Sequence, residues 1–383
     1  MTDKPDYDYI IAGAGAAGLS LLIRIIKSGN FANKRILLVE KQPKNHNDRT
    51  WCFWEKGIGL FDEVVYKCWQ SLRFYGNGFS KVFDIHPYQY KMIRGIDFYN
   101  YCLSFIALQP NITVQYGLVS DLHSDDKGTW LLIDGKRHTA KYIFNSILFS
   151  KPVPGKAEYY LLQHFKGWVI ETDSPVFNEK EATLMDFRVM QQKGTTFFYV
   201  MPFSPSRALV EYTLFSNELL SPEEYDHALH NYITANLRCN EYKIKSQEFG
   251  SIPMTNYKFT RQQANIIQMG TAGGQTKASS GYTFQFIQKH TASLVTNLNN
   301  DDPVLNPRLS SKRYDFYDSV LLNVLATGKM AGAEIFTHLF KKNPSHRIFH
   351  FLDNESSLSA DIRLLASLPT LPFLKAGLEQ ILR

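Results

Sequence analysis

The residues best placed to do chemistry near the start of the chain are glycines. Gly13-Ala14-Gly15-Ala16-Ala17-Gly18 follows the spacing G-x-G-x-x-G. In that spacing Gly13 permits a tight turn, Gly15 lets backbone approach a pyrophosphate, and Gly18 lets a helix pack close on a strand. A helix opening there, with Ala16 and Ala17 in its first turn, offers positive potential to an anion. Glu40 stands at the end of the next apolar stretch, beside Lys41, where a carboxylate can accept a ribose hydroxyl. A second segment, Gly270-Thr271-Ala272-Gly273-Gly274 followed by Ser279-Ser280-Gly281-Tyr282, can wrap a ribityl chain and aim a helix N-terminus at a flavin ring. The two segments together favour FAD over NAD.

These residues need elements to hold them. Asp8–Ala12 reads as a buried strand, Leu19–Ser28 as a helix ending at Gly29, and Arg35–Val39 as a second strand, a βαβ unit. Phe83–Ile85, Ile112–Tyr116, Trp130–Asp134 and Tyr142–Leu148 read as short strands, with a hairpin at Asp125-Asp126-Lys127-Gly128. Trp168–Thr172, Thr183–Arg188, Thr196–Pro202, Ala208–Phe215 and Tyr242–Ile252 predict a β region, interrupted by one helix over Pro222–Leu237. Ile266–Met269 is a short strand, Thr283–Leu298 a helix, and Tyr314–Arg383 mostly helical. The expected fold is α/β: a Rossmann-type FAD domain with an inserted, mainly antiparallel sheet domain and a helical C-terminal region. The expected boundaries give the FAD domain residues 1–80, 111–155 and 261–310. The substrate domain takes 81–110 and 156–260, and the helical region 311–383.

Composition bounds the function. The chain has 383 residues, 44% hydrophobic and 20% charged, which suits a protein with a full core and excludes a disordered or collagenous one. Rings are abundant, with 27 Phe, 21 Tyr and 5 Trp, enough to fill a core, line an apolar tunnel or face a cation. The net charge of +6 is mild, and no Lys/Arg block reaches the density of a nucleic-acid patch. Cys52, Cys68, Cys102 and Cys239 form neither a C-x-x-C pair nor a metal-ligand spacing, which fits a reducing compartment and no metal. The start lacks a signal-peptide pattern, and Tyr9–Ile23 is too short to span a bilayer, so the expectation is a cytoplasmic protein.

Four segments in order resemble the flavin-dependent lycopene cyclase family. Arg49-Thr50-Trp51-Cys52-Phe53-Trp54 matches its R-T-W-x-F-W segment, and Leu209-Val210-Glu211-Tyr212-Thr213 matches F-L-E-E-T at the first Glu and the Thr. Gly273-Gly274 through Ser279-Ser280-Gly281-Tyr282 matches A-G-x-x-H-P-S/T-T-G-Y, and Phe316–Leu322 resembles F-D-x-x-L-L. The second glycine segment also resembles that of hydroxylase-like flavoproteins, with Thr271 where Asp is usual. Tyr212 replaces the second Glu, and Lys277-Ala278 replaces His-Pro.

The resemblance implies cyclisation of the ψ-ends of lycopene to β-ionone rings without net redox change. It makes Glu211 the acid. Leu209, Glu211 and Thr213 share a strand face, and burial there would keep the carboxyl protonated. Trp51, Phe53, Trp54 and Tyr212 are candidate faces for the cation, and Arg49 a candidate for flavin phosphate or ribityl oxygens. The resemblance further implies reduced FAD as the active form and NAD(P)H as its electron source. The glycine segments alone support redox chemistry equally well, as in a monooxygenase or an isoprenoid reductase. A lipid-dissolved substrate implies peripheral membrane contact. The tail clusters Leu364-Leu365, Leu368–Leu374 and Leu378–Leu382, with Lys375 and Arg383, suit either the interface or the core.

Overall fold

The computed structural model describes residues 4–300 and 311–382; Arg383 and part of the expected 261–310 segment lie outside them. In chain order, β1 (Tyr7–Ala12), α1 (Ala16–Ser28) and β2 (Ile36–Glu40) come first. Next are β3 (Thr50–Lys56), β4 (Lys67–Trp69), β5 (Ser71–Gly76), β6 (Phe79–Asp84), β7 (Tyr88–Arg94) and α2 (Gly95–Ala107). They are followed by β8 (Ile112–Tyr116), β9 (Val119–Asp125), β10 (Gly128–Ile133) and β11 (Lys136–Asn145). Then come β12 (Tyr160–Glu171), β13 (Glu181–Asp186), β14 (Thr195–Ser204), β15 (Arg207–Ser216), α3 (Pro222–Asn231) and β16 (Lys243–Thr255). The chain continues through β17 (Gln262–Gln263), β18 (Ile266–Gln268) and α4 (Phe284–Asn299). The last elements are α5 (Lys312–Ala326), α6 (Gly332–Lys342), α7 (Ser345–Leu352), α8 (Leu358–Leu365) and α9 (Thr370–Ile381).

The first layer is a sheet whose parallel centre runs β18-β11-β1-β2-β8, with β9, β10 and β17 added antiparallel. β1 is apolar at successive positions because both its faces are covered. Tyr9 and Ile11 pack in the core that includes Leu22, Phe98 and Leu294 of α1, α2 and α4, while Ile10 and Ala12 meet Val119, Leu131 and Ile133. α1 stops where Gly29 turns left-handed at φ 72° and its N–H returns to the Ile26 carbonyl.

The second layer is a seven-stranded sheet in the order β16-β12-β15-β14-β13-β5-β6, antiparallel except between β13 and β5. Alternation sorts its side chains. Phe197, Tyr199, Met201 and Leu209 face a core shared with the small sheet β3-β7-β4 and with α6 and α7. Phe198, Val200, Ala208 and Val210 face the other way, under α3.

The observed architecture is the mixed α/β arrangement expected, with corrected edges. The boundary at residue 80 falls inside β6, and the sheet region already begins at β3. The strand signal of Ser71–Gly76 is a strict alternation of buried and half-buried residues, and it lay within the segment assigned to the FAD domain. Conversely α2, expected with the substrate domain, packs against α1 through Phe98 and Cys102. The helix expected over Pro222–Leu237 ends at Asn231 and passes into a π turn, Tyr232–Asn236. The C-terminal helices close the second layer, with α6 lying on β5 and β14.

Candidate functional site

At the nucleotide end, the three glycines do different things. A Cβ on Gly18 would sit 2.0 Å from the Gly13 carbonyl oxygen, and one on Gly13, at φ +99°, 2.3 Å from Ser146 Oγ. Gly15 opens onto free space. α1 begins with neither a side-chain cap nor an acidic residue in its first turn, so the N–H groups at Ala16, Ala17 and Gly18 are suited to an anion. Glu40 Oε2 accepts the Ala14 N–H at 2.6 Å and Oε1 the Lys41 N–H at 3.0 Å. Gly270, at φ +59°, brings the second glycine segment to within 3.1 Å of the Ala17 methyl, measured from its Cβ position. The donors, the open face at Gly15 and this convergence fit a dinucleotide.

A cavity of about 380 Å³ lies between the two layers. Thr271, Gly281 and Tyr282 of the second glycine segment border it, as do Arg49, Thr50, Trp51 and Cys52 of the β3 end. Tyr90, Tyr199, Leu209 and Glu211 come from the facing strands. Gly273 sits within the same glycine segment but outside the lining, its Cβ position 2.3 Å from the Gln268 carbonyl.

Glu211 projects from β15 into this cavity and accepts a hydrogen bond from Thr213 Oγ1 at 3.0 Å. Burial first, and the neighbouring Glu248 second, hold its carboxyl well above the usual carboxylate range. Glu248 was not read from the sequence. It sits on β16 behind the cavity wall, and its Oε2 accepts the Thr50 hydroxyl at 2.6 Å. Its own carboxyl is also raised by burial, against the opposing pull of Thr50, of the hydrogen bond from Glu211, and of Arg49. Gly167 of β12 stands between the two, paired with Glu211 on one side and Glu248 on the other. Tyr90, Tyr199 and Cys52 were missed as well; burial pushes all three above their ordinary ranges.

The expected rings divide. Trp51 lines the cavity, edge-on to Phe98 and Tyr99. Phe53 does not: it is 4% exposed and stacked on Phe284 at 4.5 Å. Trp54 is 3% exposed, stacked on Phe349 at 4.8 Å and edge-on to Tyr282. Neither ring reaches the lining, because packing claims both sides of β3 beyond Cys52. Tyr212 points to the opposite face of its sheet from Glu211, as the period of two requires. There it stacks on Phe198 and borders an open groove of about 1440 Å³ that meets neither glycine segment.

Lys277 has a structural role. Its buried Nζ donates to Asp318 Oδ1 at 2.9 Å and to Asn354 Oδ1 at 2.7 Å, and Ser279 Oγ donates to the same Asp318 oxygen at 2.5 Å. The Gly-rich loop is thereby tied to α5. Among the described residues, no group of His, Cys, Asp and Glu could hold a metal ion, and no helix is long and apolar enough to cross a membrane.

Comparison with known proteins gives this geometry a family. Residues 8–378 match the family described as Lycopene cyclase protein. The chain belongs to that family. A lycopene beta-cyclase of Pantoea ananas is 24% identical over 302 residues, covering 73% of this chain and 72% of its own. Neoxanthin synthase of Solanum lycopersicum is 25% identical over 310 residues, covering 73% of this chain but 58% of its own. Among solved structures, a flavoprotein/dehydrogenase from Cytophaga hutchinsonii aligns at a TM-score of 0.60 and 15% identity, covering 98% of this chain and 99% of that one. A geranylgeranyl bacteriochlorophyll reductase-like protein from Thermoplasma acidophilum aligns at 0.57 and 13% identity, covering 98% and 96%. These two share this chain's fold across its length.

Proposed function

We propose that this member of the lycopene cyclase family is a lycopene beta-cyclase that uses Glu211 as its acid. One observation carries the reading: a carboxyl whose hold on its proton is raised by burial and by Glu248 faces a ring-lined cavity that adjoins the second glycine segment. A proton from Glu211 adds to the terminal double bond of a ψ-end, and the tertiary cation is attacked by the next double bond. Loss of a ring proton then restores a neutral product, so atoms and electrons balance with no oxidant or reductant. Trp51, Tyr90, Tyr199 and Tyr282 are the rings placed to face that cation, each contact contributing about 0.5–2 kcal/mol.

FAD would be held by Gly13, Gly15, Ala16, Ala17, Gly18 and Glu40 at its nucleotide end, and by Gly270, Thr271, Gly273 and Gly281 toward the cavity. Lys41 would contribute through its backbone and Arg49 from the cavity rim. When bound in the reduced form, with NAD(P)H as the electron source, FAD would supply negative charge to balance the cation.

An apolar substrate calls for contact with a bilayer. In α9, Leu371, Leu374 and Leu378 are 81%, 58% and 59% exposed and share one face, with Lys375 among them. The opposite side is docked, with Ala376 fully buried and Glu379 bonded to Lys329 and Asn323. Leu364, by contrast, is packed in the core. We therefore assign the membrane contact to α9 of a peripherally bound, cytoplasmic enzyme.

The test is pigment analysis in a lycopene-producing bacterium, comparing the parent with E211Q. The parent is expected to yield γ- or β-carotene, and the variant to leave lycopene intact while retaining flavin. Lycopene untouched by a folded, FAD-loaded parent would overturn the assignment. NAD(P)H consumed in proportion to product would instead favour a redox enzyme.

A further inference from the structure

Glu211, Gly167 and Glu248 occupy one transverse row across β15, β12 and β16. A row of three ordinary residues would present three side chains side by side; here the middle one is missing. A Cβ on Gly167 would lie 3.2 Å from Glu248 Cγ and 3.3 Å from Glu248 Oε1, so the Glu248 side chain leans over the space the glycine leaves. Thr50 satisfies one oxygen of Glu248, while Oε1 is buried without a donor other than the neighbouring carboxyl. Glu211 and Glu248 are neighbours, and burial works against both being ionised at once. A proton between them resolves the repulsion and satisfies the orphaned oxygen.

We infer that Glu248 is the positioning residue of the acid: it accepts the O–H of Glu211, keeps that proton loaded, and aims it from beneath the cavity wall. The inference rests on Glu211 being the acid. When the Glu211 O–H bond breaks, its electron pair stays on Glu211 and the proton bonds to the alkene carbon. Glu211 is then a carboxylate beside the fixed negative charge of Glu248, which raises its affinity for a proton. It takes back the proton lost from the ring carbon, whose C–H pair becomes the new double bond. Glu211 thus serves as acid and then as base, and Glu248 touches no substrate.

The groups facing the pair are Arg49, Thr50 and Cys52 from the β3 end, Tyr90 from β7, Tyr199 from β14, Tyr282 from the glycine loop and Thr213 on β15. Cys52 and the three tyrosines are all pushed above their ordinary ranges by burial, so they stay neutral and the pair sets the profile.

The experiment is the pH dependence of kcat for the FAD-loaded enzyme with lycopene in lipid vesicles, comparing the parent with E248Q. The Gln amide removes the like charge and donates to an ionised Glu211. The alkaline limb should therefore move to lower pH by about one to two units, with KM and flavin content unchanged. An unmoved limb in an active E248Q enzyme overturns the inference. Infrared spectroscopy of the parent and E211Q provides a second measurement that does not depend on the folding of E248Q. A protonated-carboxyl C=O band at neutral pH, lost in E211Q, is expected; no such band in the parent overturns the shared proton. An E211Q enzyme that still cyclises would instead remove the acid itself, a failure distinct from either.

Discussion

A carboxylic acid proposed to protonate a hydrocarbon near neutral pH has to be kept from ionising, and the burial of Glu211 on β15, beside Glu248, works in that direction. Glu211 was singled out by the resemblance of Leu209–Thr213 to the family motif, and strand parity put it on the face of Leu209, with which it borders the cavity. Glu248 was not legible: its relation to Glu211 depends on the register of β16 against β12, which no local pattern encodes. Gly167 is the residue that couples them, and it reads in sequence as an unremarked strand glycine. Gly167→Ala should cost about 1–3 kcal/mol, measured as a shift in denaturant midpoint, because its Cβ would press on Leu209 at 2.9 Å and on Glu248. Its effect on kcat should be larger than that loss of stability implies, about tenfold or more at 25 °C where the protein remains folded. Wild-type turnover in a well-folded G167A enzyme would show that the row tolerates a methyl.

At the scale of elements, the βαβ unit and the long strands of the second sheet were plain from periodicity, whereas β4 to β7 were largely hidden. β4 is three residues long, and β7 draws its partners from both β3 and β4, so neither shows a sustained pattern. The clasp between β12 and α3 was also invisible. His164 is fully buried; its Nε2 donates to Ser216 Oγ at 2.7 Å, since that hydroxyl is already donating to the Glu218 carbonyl. Nδ1 therefore accepts the Tyr225 hydroxyl, at 2.5 Å. Burial pulls the imidazole down to about 4 from its ordinary 6.5. A depressed folded value means that this contribution is complete above pH 6.5 and is lost as pH falls toward 4, by about 3 kcal/mol in all. Thermal midpoints taken from pH 7 to 4.5 should fall more steeply for the parent than for His164→Gln. Parallel curves would assign the acid sensitivity to other groups.

For the whole molecule, the split arrangement of a nucleotide layer and an inserted sheet followed from the two glycine segments standing far apart in sequence. The tail was undecided between core and interface, and the structure divides it: α8 sends Leu364 inward, while α9 turns three leucines outward. Replacing Leu371 and Leu378 together by Asp should weaken flotation with anionic lipid vesicles by about tenfold or more, leaving flavin content intact. Equal flotation of parent and variant would place the membrane contact elsewhere.

The Lys277–Asp318 ion pair joins the two ends of this description. It fastens the loop that would lie along the ribityl chain to a helix of the C-terminal cover, in a setting where a lone charge is costly. A ligand that orders that loop should therefore also be felt as rigidity in the cover. Protection of the C-terminal helices from a protease thus becomes a gauge of how full the nucleotide site is, readable without any pigment.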